Sequence, residues 1–198
     1  AERHGTRPYE CVADGKSAIR WIRSHAAELG IDPTHLIAGG GSAGGHMAVA
    51  TATVTGFEND DDDQSISPRP SALVLFNPVF DNGPNGYGHD RVKDRWREFS
   101  PLHNITAGVP PAIVFLGTED LLLPVSTAAA FKKRMNEVGT RCDVWTYPGQ
   151  KHAFFNDRNG DNPYFAATVY EADRFLASLG YLDGEPTVPN PAVEATRL

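Results

Sequence analysis

A serine hydroxyl attacks a carbonyl only when a base takes its proton, and the base needs a third group to hold its tautomer. Residues able to meet those needs stand in a fixed order along this chain. Ser42 lies in Gly40-Gly41-Ser42-Ala43-Gly44, the carboxylates Glu119 and Asp120 follow Gly117-Thr118, and His152 opens His152-Ala153-Phe154-Phe155. The first string fits G-x-S-x-G between an apolar run, His35-Leu36-Ile37-Ala38, and a small-residue run, His46-Met47-Ala48-Val49-Ala50. That context predicts a nucleophile elbow, a strand-to-helix turn tight enough to strain the serine and expose its hydroxyl. Flanking glycines let the backbones approach, and the following helix N-terminus puts partial positive charge where an oxyanion would form. A phosphate loop would need a Lys followed by Ser or Thr after the glycines, and none is present.

Other residues compete for the same roles. Asp81, at the end of an apolar run, is a rival to Glu119 and Asp120 for the acid. His25, His35, His46, His89 and His103 are rivals to His152 for the base. His89 and Asp81 are also candidates to line a substrate cleft, as is Gly41 beside the serine. His46, one turn into the elbow helix, is expected to be a packed, hydrogen-bonded side chain. No histidine pair has H-E-x-x-H spacing, so a zinc hydrolase is disfavoured and neither metal nor cofactor is expected. The run Asp60-Asp61-Asp62-Asp63 lacks the alternating ligand spacing of a calcium loop and reads as a solvated surface loop. Asp157 to Asp161 reads as a turn, because Thr168 stands where a calcium loop places Glu. Asn104-Ile105-Thr106 is a glycosylation sequon by residue type alone.

The elements that must position these groups follow from hydrophobic patterning. A helix is predicted from about Gly15 to Leu29, N-capped by Asp14, with Ala18, Ile19, Ile22, Ala26 and Leu29 as its apolar stripe and Gly30 as its stop. The elbow helix is predicted to run to about Val54, and Gly56 to Pro70 is a polar insertion. Ala72 to Phe76 and Ala112 to Gly117 are continuous apolar runs, as expected for strands covered on both faces. Between them, Asp81 to Phe99, with Tyr87, His89 and Trp96, is an excursion of the length that often covers a binding cleft. A helix from about Val125 to Val138, a strand over Asp143 to Tyr147 and a helix from Tyr164 to Leu179 complete the pattern. Alternating strands and helices predict an α/β fold with a mostly parallel sheet flanked by helices, whose chemistry lies beyond the carboxyl ends of the strands.

Composition limits the function classes. A chain of 198 residues suits one domain, and a formal charge of −7 disfavours nucleic acid or an anionic membrane as partner. No apolar run approaches the length of a membrane span, and there is no signal-peptide apolar region. The chain opens on Ala1-Glu2-Arg3-His4, without Met, so removal of an upstream part is expected. Cys11 and Cys142 form no C-x-x-C or zinc pattern and are expected to be free.

Taken jointly, the elbow, Gly117-Thr118-Glu119-Asp120, His152-Ala153-Phe154-Phe155 and the helix holding Ser17-Ala18-Ile19-Arg20-Trp21 resemble the C-terminal two-thirds of an α/β-hydrolase esterase. The chain is similar to the acetyl-xylan-esterase-like and feruloyl-esterase-like carbohydrate esterases, and more distantly to the hormone-sensitive-lipase type. The resemblance covers Pro8 to about Gly184, so that residues 1–184 form the hydrolase part and 185–198 an extended tail. It implies that Ser42 is the nucleophile, His152 the general base and then acid, Asp120 rather than Glu119 the orienting carboxylate, and the Ala43 backbone N–H one oxyanion donor. It implies a serine carboxylesterase acting on small-molecule or carbohydrate esters with small acyl groups such as acetate. A prolyl-oligopeptidase-type peptidase shares the elbow and residue order, and a non-catalytic fragment or binding module is the alternative from another class. In these esterases a His-Gly-Gly segment supplies the remaining oxyanion donors, and His4-Gly5-Thr6 does not match it. With the family's earlier strands also missing, a missing N-terminal segment or partner chain is expected, and the elbow strand should present an exposed sheet edge.

Overall fold

The structure, a computed structural model, describes residues 7–198. Four strands run parallel in the order of the chain: β1 (Ile37–Gly41), β2 (Ala72–Phe76), β3 (Ala112–Gly117) and β4 (Cys142–Tyr147). The register sets Gly41 beside Phe76, Phe76 beside Phe115 and Gly117 beside Tyr147. The chain therefore leaves each strand along one rim of the sheet, and Ser42, Asn77, Thr118 and Pro148 are the residues that begin that rim.

The alternation of the central strands divides the core. Leu73, Leu75, Val114, Leu116 and Val144 face α3 (Ala43–Thr53) and α6 (Val125–Glu137), where they meet Val49, Phe131 and Met135. Ala72, Ile113, Phe115 and Tyr147 face α7 (Pro163–Ser178), where they meet Ala167, Ala172 and Phe175. Every residue of β3 is buried, which is why the sequence there is one unbroken apolar run. The last residues, 185–198, return to the sheet. Thr196 and Arg197 form a short strand, β5, antiparallel to β4, and Arg197 Nη2 lies 2.5 Å from Asp143 Oδ1. β1 stands at the other edge, where Ile37 is exposed and no second strand pairs with it among the described residues. That is the unpaired elbow-strand edge expected from the sequence.

The first helix corrects the sequence reading. It is α1 (Pro8–Ser24), beginning seven residues earlier than predicted, and a short α2 (Ala26–Leu29) follows a break at His25. Pro8 at the first helical position and Glu10, whose carboxylate accepts the Arg7 N–H at 3.2 Å, start the helix. Asp14 is therefore an exposed mid-helix residue rather than a cap. Gly30 does end the second segment in the left-handed conformation, at φ 67°.

The buried face of α1 is also not the predicted stripe. Val12, Ala13, Lys16 and Arg20 are buried, whereas Ala18 and Leu29 are exposed. Lys16 Nζ reaches Glu58 at 2.6 Å and the Gly56 carbonyl at 2.5 Å. Arg20 reaches Glu58 at 2.6 Å, Asp62 at 3.2 Å and the Ile66 carbonyl at 2.9 Å. The polar insertion is thus wrapped onto α1 by two buried cations, and only part of its acidic run, including Asp60 and Asp61, is left facing water. Buried charges are tolerated only when paired. Replacing Glu58 by Ala should lower the urea-unfolding free energy by about 3 kcal/mol, the usual size of the loss when one partner of a buried pair is removed. An unchanged midpoint would show that the insertion does not hold α1.

Candidate active site

Ser42 sits between β1 and α3 at φ 54°, ψ −117°, a conformation that costs a non-glycine residue about 1–3 kcal/mol. Three backbone hydrogen bonds hold it there. Its N–H donates to the Phe76 carbonyl at the end of β2 (3.0 Å), and its carbonyl accepts from His46 (3.0 Å) and Val79 (3.4 Å). The turn closes only because its neighbours lack side chains: a Cβ on Gly40 would lie 2.7 Å from the Gly44 carbonyl carbon. The predicted elbow is present in full.

His152 lies over this turn, with Nε2 3.0 Å from Ser42 Oγ and Nδ1 2.7 Å from Asp120 Oδ2. The Asp120 side chain is 0 % exposed, and its other oxygen accepts the N–H groups of Leu122 (2.9 Å) and Leu123 (3.0 Å). Both carboxylate oxygens are therefore engaged, which is what burial of a charge requires. A carboxylate only accepts, so Nδ1 carries the proton of the neutral imidazole, and Nε2 is left to accept from the serine hydroxyl. Such an arrangement can draw a proton from Ser42 and return it to a leaving group.

The acid and base loops are locked to one another by backbone contacts. Thr118 N–H donates to the Tyr147 carbonyl and Glu119 N–H to the Gln150 carbonyl, while Gly149 N–H donates to Thr118 Oγ1. A Cβ on Gly117 would run into the Gln150 carbonyl, so the two loops can meet only at a glycine. This explains why Asp120 and not Glu119 faces inward: Glu119 is exposed at the end of the zipper. On the other side of His152, Phe155 packs against Phe76 with ring centroids 4.8 Å apart and covers Gly41, where a Cβ would meet the ring at 2.7 Å. Gly41 serves this approach.

The remaining candidates have local partners. Asp81 Oδ1 accepts the Gly83 N–H at 2.7 Å, and His89 Nδ1 lies 3.0 Å from the Asn82 carbonyl. Neither hydrogen-bonds Ser42, Asp120 or His152. Ala43 opens α3, so its N–H has no partner within the helix and is free to meet an oxyanion. His4-Gly5-Thr6 lies outside the described residues. A cavity of about 340 Å³ lies behind Phe155, lined by Phe76, Asn156, Asp157, Phe165, Thr168 and Val169, and none of Ser42, Asp120 or His152 borders it. Among the described residues, no group of three His, Cys, Asp or Glu side chains is placed to hold a metal, and no helix is long and apolar enough to cross a membrane.

Sequence reasoning missed two parts of the site. Asn77, the residue that follows β2, accepts the Ala153 N–H on Oδ1 at 2.9 Å. The excursion from Asp81 to Phe99, with Ser100 after it, is also tied to the elbow helix by a buried polar chain. His46 Nε2 lies 3.0 Å from Asn82 Oδ1, the Asn82 amide donates to the Tyr87 carbonyl, and the Asn82 N–H donates to Ser100 Oγ. Within it are α4 (His89–Val92) and α5 (Trp96–Phe99), and Phe99 stacks on the His46 ring at 4.5 Å.

Residues 6–82 match the family described as BD-FAE, and residues 87–179 match the dienelactone hydrolase family. A probable carboxylic ester hydrolase, LipM, of Mycobacterium tuberculosis is 29% identical over 92% of this chain and 46% of its own length. The acetylxylan esterase of Xylanibacter ruminicola is 25% identical over 98% of this chain and 39% of its own length. The chain thus spans less than half the length of these two curated relatives. Among solved structures, Thermogutta terrifontis esterase 2 phosphoramylated by tabun superposes with a TM-score of 0.87 at 43% identity, over 92% of this chain and 69% of that one. Its propionate-bound form gives 0.86 at 41% identity, over 93% and 70%.

Burial lowers the His46 pKa from 6.5 to about 4, against a smaller opposing effect of the Asn82 hydrogen bond. The unfolded chain then takes up a proton that the folded protein refuses. Stability from this residue is intact above about pH 6.5 and is lost by about 1.4 kcal/mol per unit as pH falls towards 4. Urea-unfolding curves across that range should show this slope in the wild type and lack it in His46→Gln.

Proposed function

Because the chain belongs to the serine esterases of the α/β-hydrolase fold, we propose that the protein hydrolyses short-chain carboxylic esters through an acyl-enzyme on Ser42. The observation that carries this reading is the continuous hydrogen-bonded line from Asp120 through His152 to Ser42 Oγ, at 2.7 and 3.0 Å. In the first half-reaction His152 Nε2 takes the Ser42 proton as Oγ adds to the ester carbonyl. The negative charge that appears on the carbonyl oxygen is met by the Ala43 N–H and the N-terminus of α3. Asp120 holds the imidazole in the accepting tautomer and stabilises the imidazolium. His152 then protonates the alcohol as it leaves, and the acyl group stays on Oγ. In the second half the same nitrogen deprotonates a water, which attacks the acyl-enzyme and releases the acid.

Small acyl groups are the proposed substrate class, with acetyl esters of carbohydrates foremost. Support comes from the acetylxylan esterase similarity and from the propionate bound to the Thermogutta esterase. The organophosphate adduct of that same esterase supports attack by a serine of this kind. Esters are favoured over peptides because the LipM hydrolase and the acetylxylan esterase, matched over 92% and 98% of this chain, are ester hydrolases.

The test compares variants on p-nitrophenyl acetate. Ser42→Ala should bring hydrolysis to background, and Asp120→Asn should cut kcat about 10⁴-fold through the wrong tautomer. Asp81→Asn should stay within about twofold, since Asp81 holds a local turn through the Gly83 N–H and hydrogen-bonds none of Ser42, Asp120 or His152. Full activity in Ser42→Ala would end the proposal. A fluorophosphonate probe should label Ser42, whereas a binding module would leave it bare, and a peptide anilide cleaved faster than the ester would indicate a peptidase.

A further inference from the structure

Asn77 has three properties that no single structural need explains. It is 1 % exposed, and it adopts φ 32°, on the positive side that non-glycine residues seldom occupy. Its Nδ2 group is buried with no hydrogen-bond partner among the described residues. An unmatched buried donor costs about 1–3 kcal/mol, and native structures keep such groups where they serve something other than stability. The half of the amide that is satisfied points to that service. Oδ1 accepts the N–H of Ala153, the residue after His152, at 2.9 Å. Ala153 is itself at φ 65°, so its loop also holds a conformation it would not choose alone.

The backbone around Asn77 makes the placement informative. Its own N–H donates to the Phe115 carbonyl of β3 at 2.7 Å, which fixes it to the centre of the sheet. The preceding carbonyl, of Phe76, accepts the Ser42 N–H at 3.0 Å. One peptide unit at the end of β2 therefore holds the nucleophile through its carbonyl and the base loop through the next side chain. We propose that Asn77 is a positioning residue: by binding the Ala153 N–H from the β2 terminus that also binds Ser42, it sets the distance between His152 Nε2 and Ser42 Oγ. Its residue type fits that duty. Asn tolerates positive φ better than most residues, reaches Ala153 with an acceptor, and brings no net charge into a buried position.

The proposal rests on the esterase reading, and a paired measurement separates the two. Asn77→Gly keeps the backbone conformation available while removing the acceptor, and Asn77→Asp keeps the acceptor, with burial favouring its protonated form, whose hydroxyl takes the place of the unpartnered Nδ2 group. With p-nitrophenyl acetate, Asn77→Gly should lose about 10²-fold in kcat, the usual cost of misplacing a reacting group by about 1 Å, with KM within about twofold. Asn77→Asp should recover kcat to within about fivefold of wild type. Amide exchange at Ala153, read independently of activity, should speed up at least tenfold in the glycine variant and not in the aspartate one, as expected when one hydrogen bond is opened. A glycine variant within threefold of wild-type kcat, or an aspartate variant as impaired as the glycine one, overturns the proposal. If the glycine variant does not fold, the wild type carries the test: an Ala153 amide that exchanges as fast as an unbonded one overturns the proposal. Wild-type protein that hydrolyses no ester, but protects Ala153 as stated, would sink the esterase reading alone.

Discussion

The strained turn at Ser42 is the constraint to which the rest of the fold answers. A serine at φ 54° returns to an ordinary conformation unless its neighbours forbid it, and here β2 supplies the restraint through the Phe76 carbonyl. That single contact needs β1 and β2 paired in register, with Gly41 beside Phe76. It also needs Gly40 and Gly44 close enough to exclude any side chain between them. The apolar layers on either side of the sheet supply the energy that holds this geometry, since burial over β2 and β3 is nearly complete. Strain at one residue is thus sustained by packing spread over many.

The charged groups obey a second rule, that what is buried must be answered. Asp120 is fully enclosed and has three donors. Lys16 and Arg20 are enclosed and share Glu58. At the far edge of the sheet, Asp143 lies between Arg141 and Arg197, whose hydrogen bonds and positive charges hold its carboxyl below the usual range against the opposing effect of burial. In each case at least one partner, His152, Glu58 or Arg197, comes from a distant part of the chain, so these pairs fix how elements sit against one another more than they add stability. Where an answer is missing, as at Asn77 Nδ2, the unmatched group lies one hydrogen bond away from the residue next to His152.

The excursion between β2 and β3 shows how a surface segment is joined to the reacting centre. His46, one turn below Ser42, remains neutral in its buried setting and binds Asn82, which in turn holds the segment through Ser100 and Tyr87. The elbow helix therefore presents the nucleophile at its N-terminus and anchors the neighbouring loop from its first turn. Leu121 and Leu122, next to Asp120, are exposed on the opposite loop. The backbone that carries them is bound directly to the orienting carboxylate.

Local pattern alone determined much of this protein. The strands over Ala72–Phe76 and Ala112–Gly117 were legible because a parallel strand covered on both faces must be apolar throughout. The elbow was legible because its geometry demands glycines at set positions, and the order of Ser42, Asp120 and His152 follows from strands that all end at one rim. The tertiary structure alone decided what depends on distant partners. Lys16 and Arg20 broke the apolar stripe by which the face of α1 was read, because their counter-ions lie about forty residues away. Asp14 read as a cap while Pro8 and Glu10 had already started the helix. Asn77 gave no signal of its contact, since nothing in its neighbours shows that the loop after β4 will bring Ala153 to it. Periodicity records which face of an element is dry, whereas the pairing of polar groups is set only when separate elements have closed on one another.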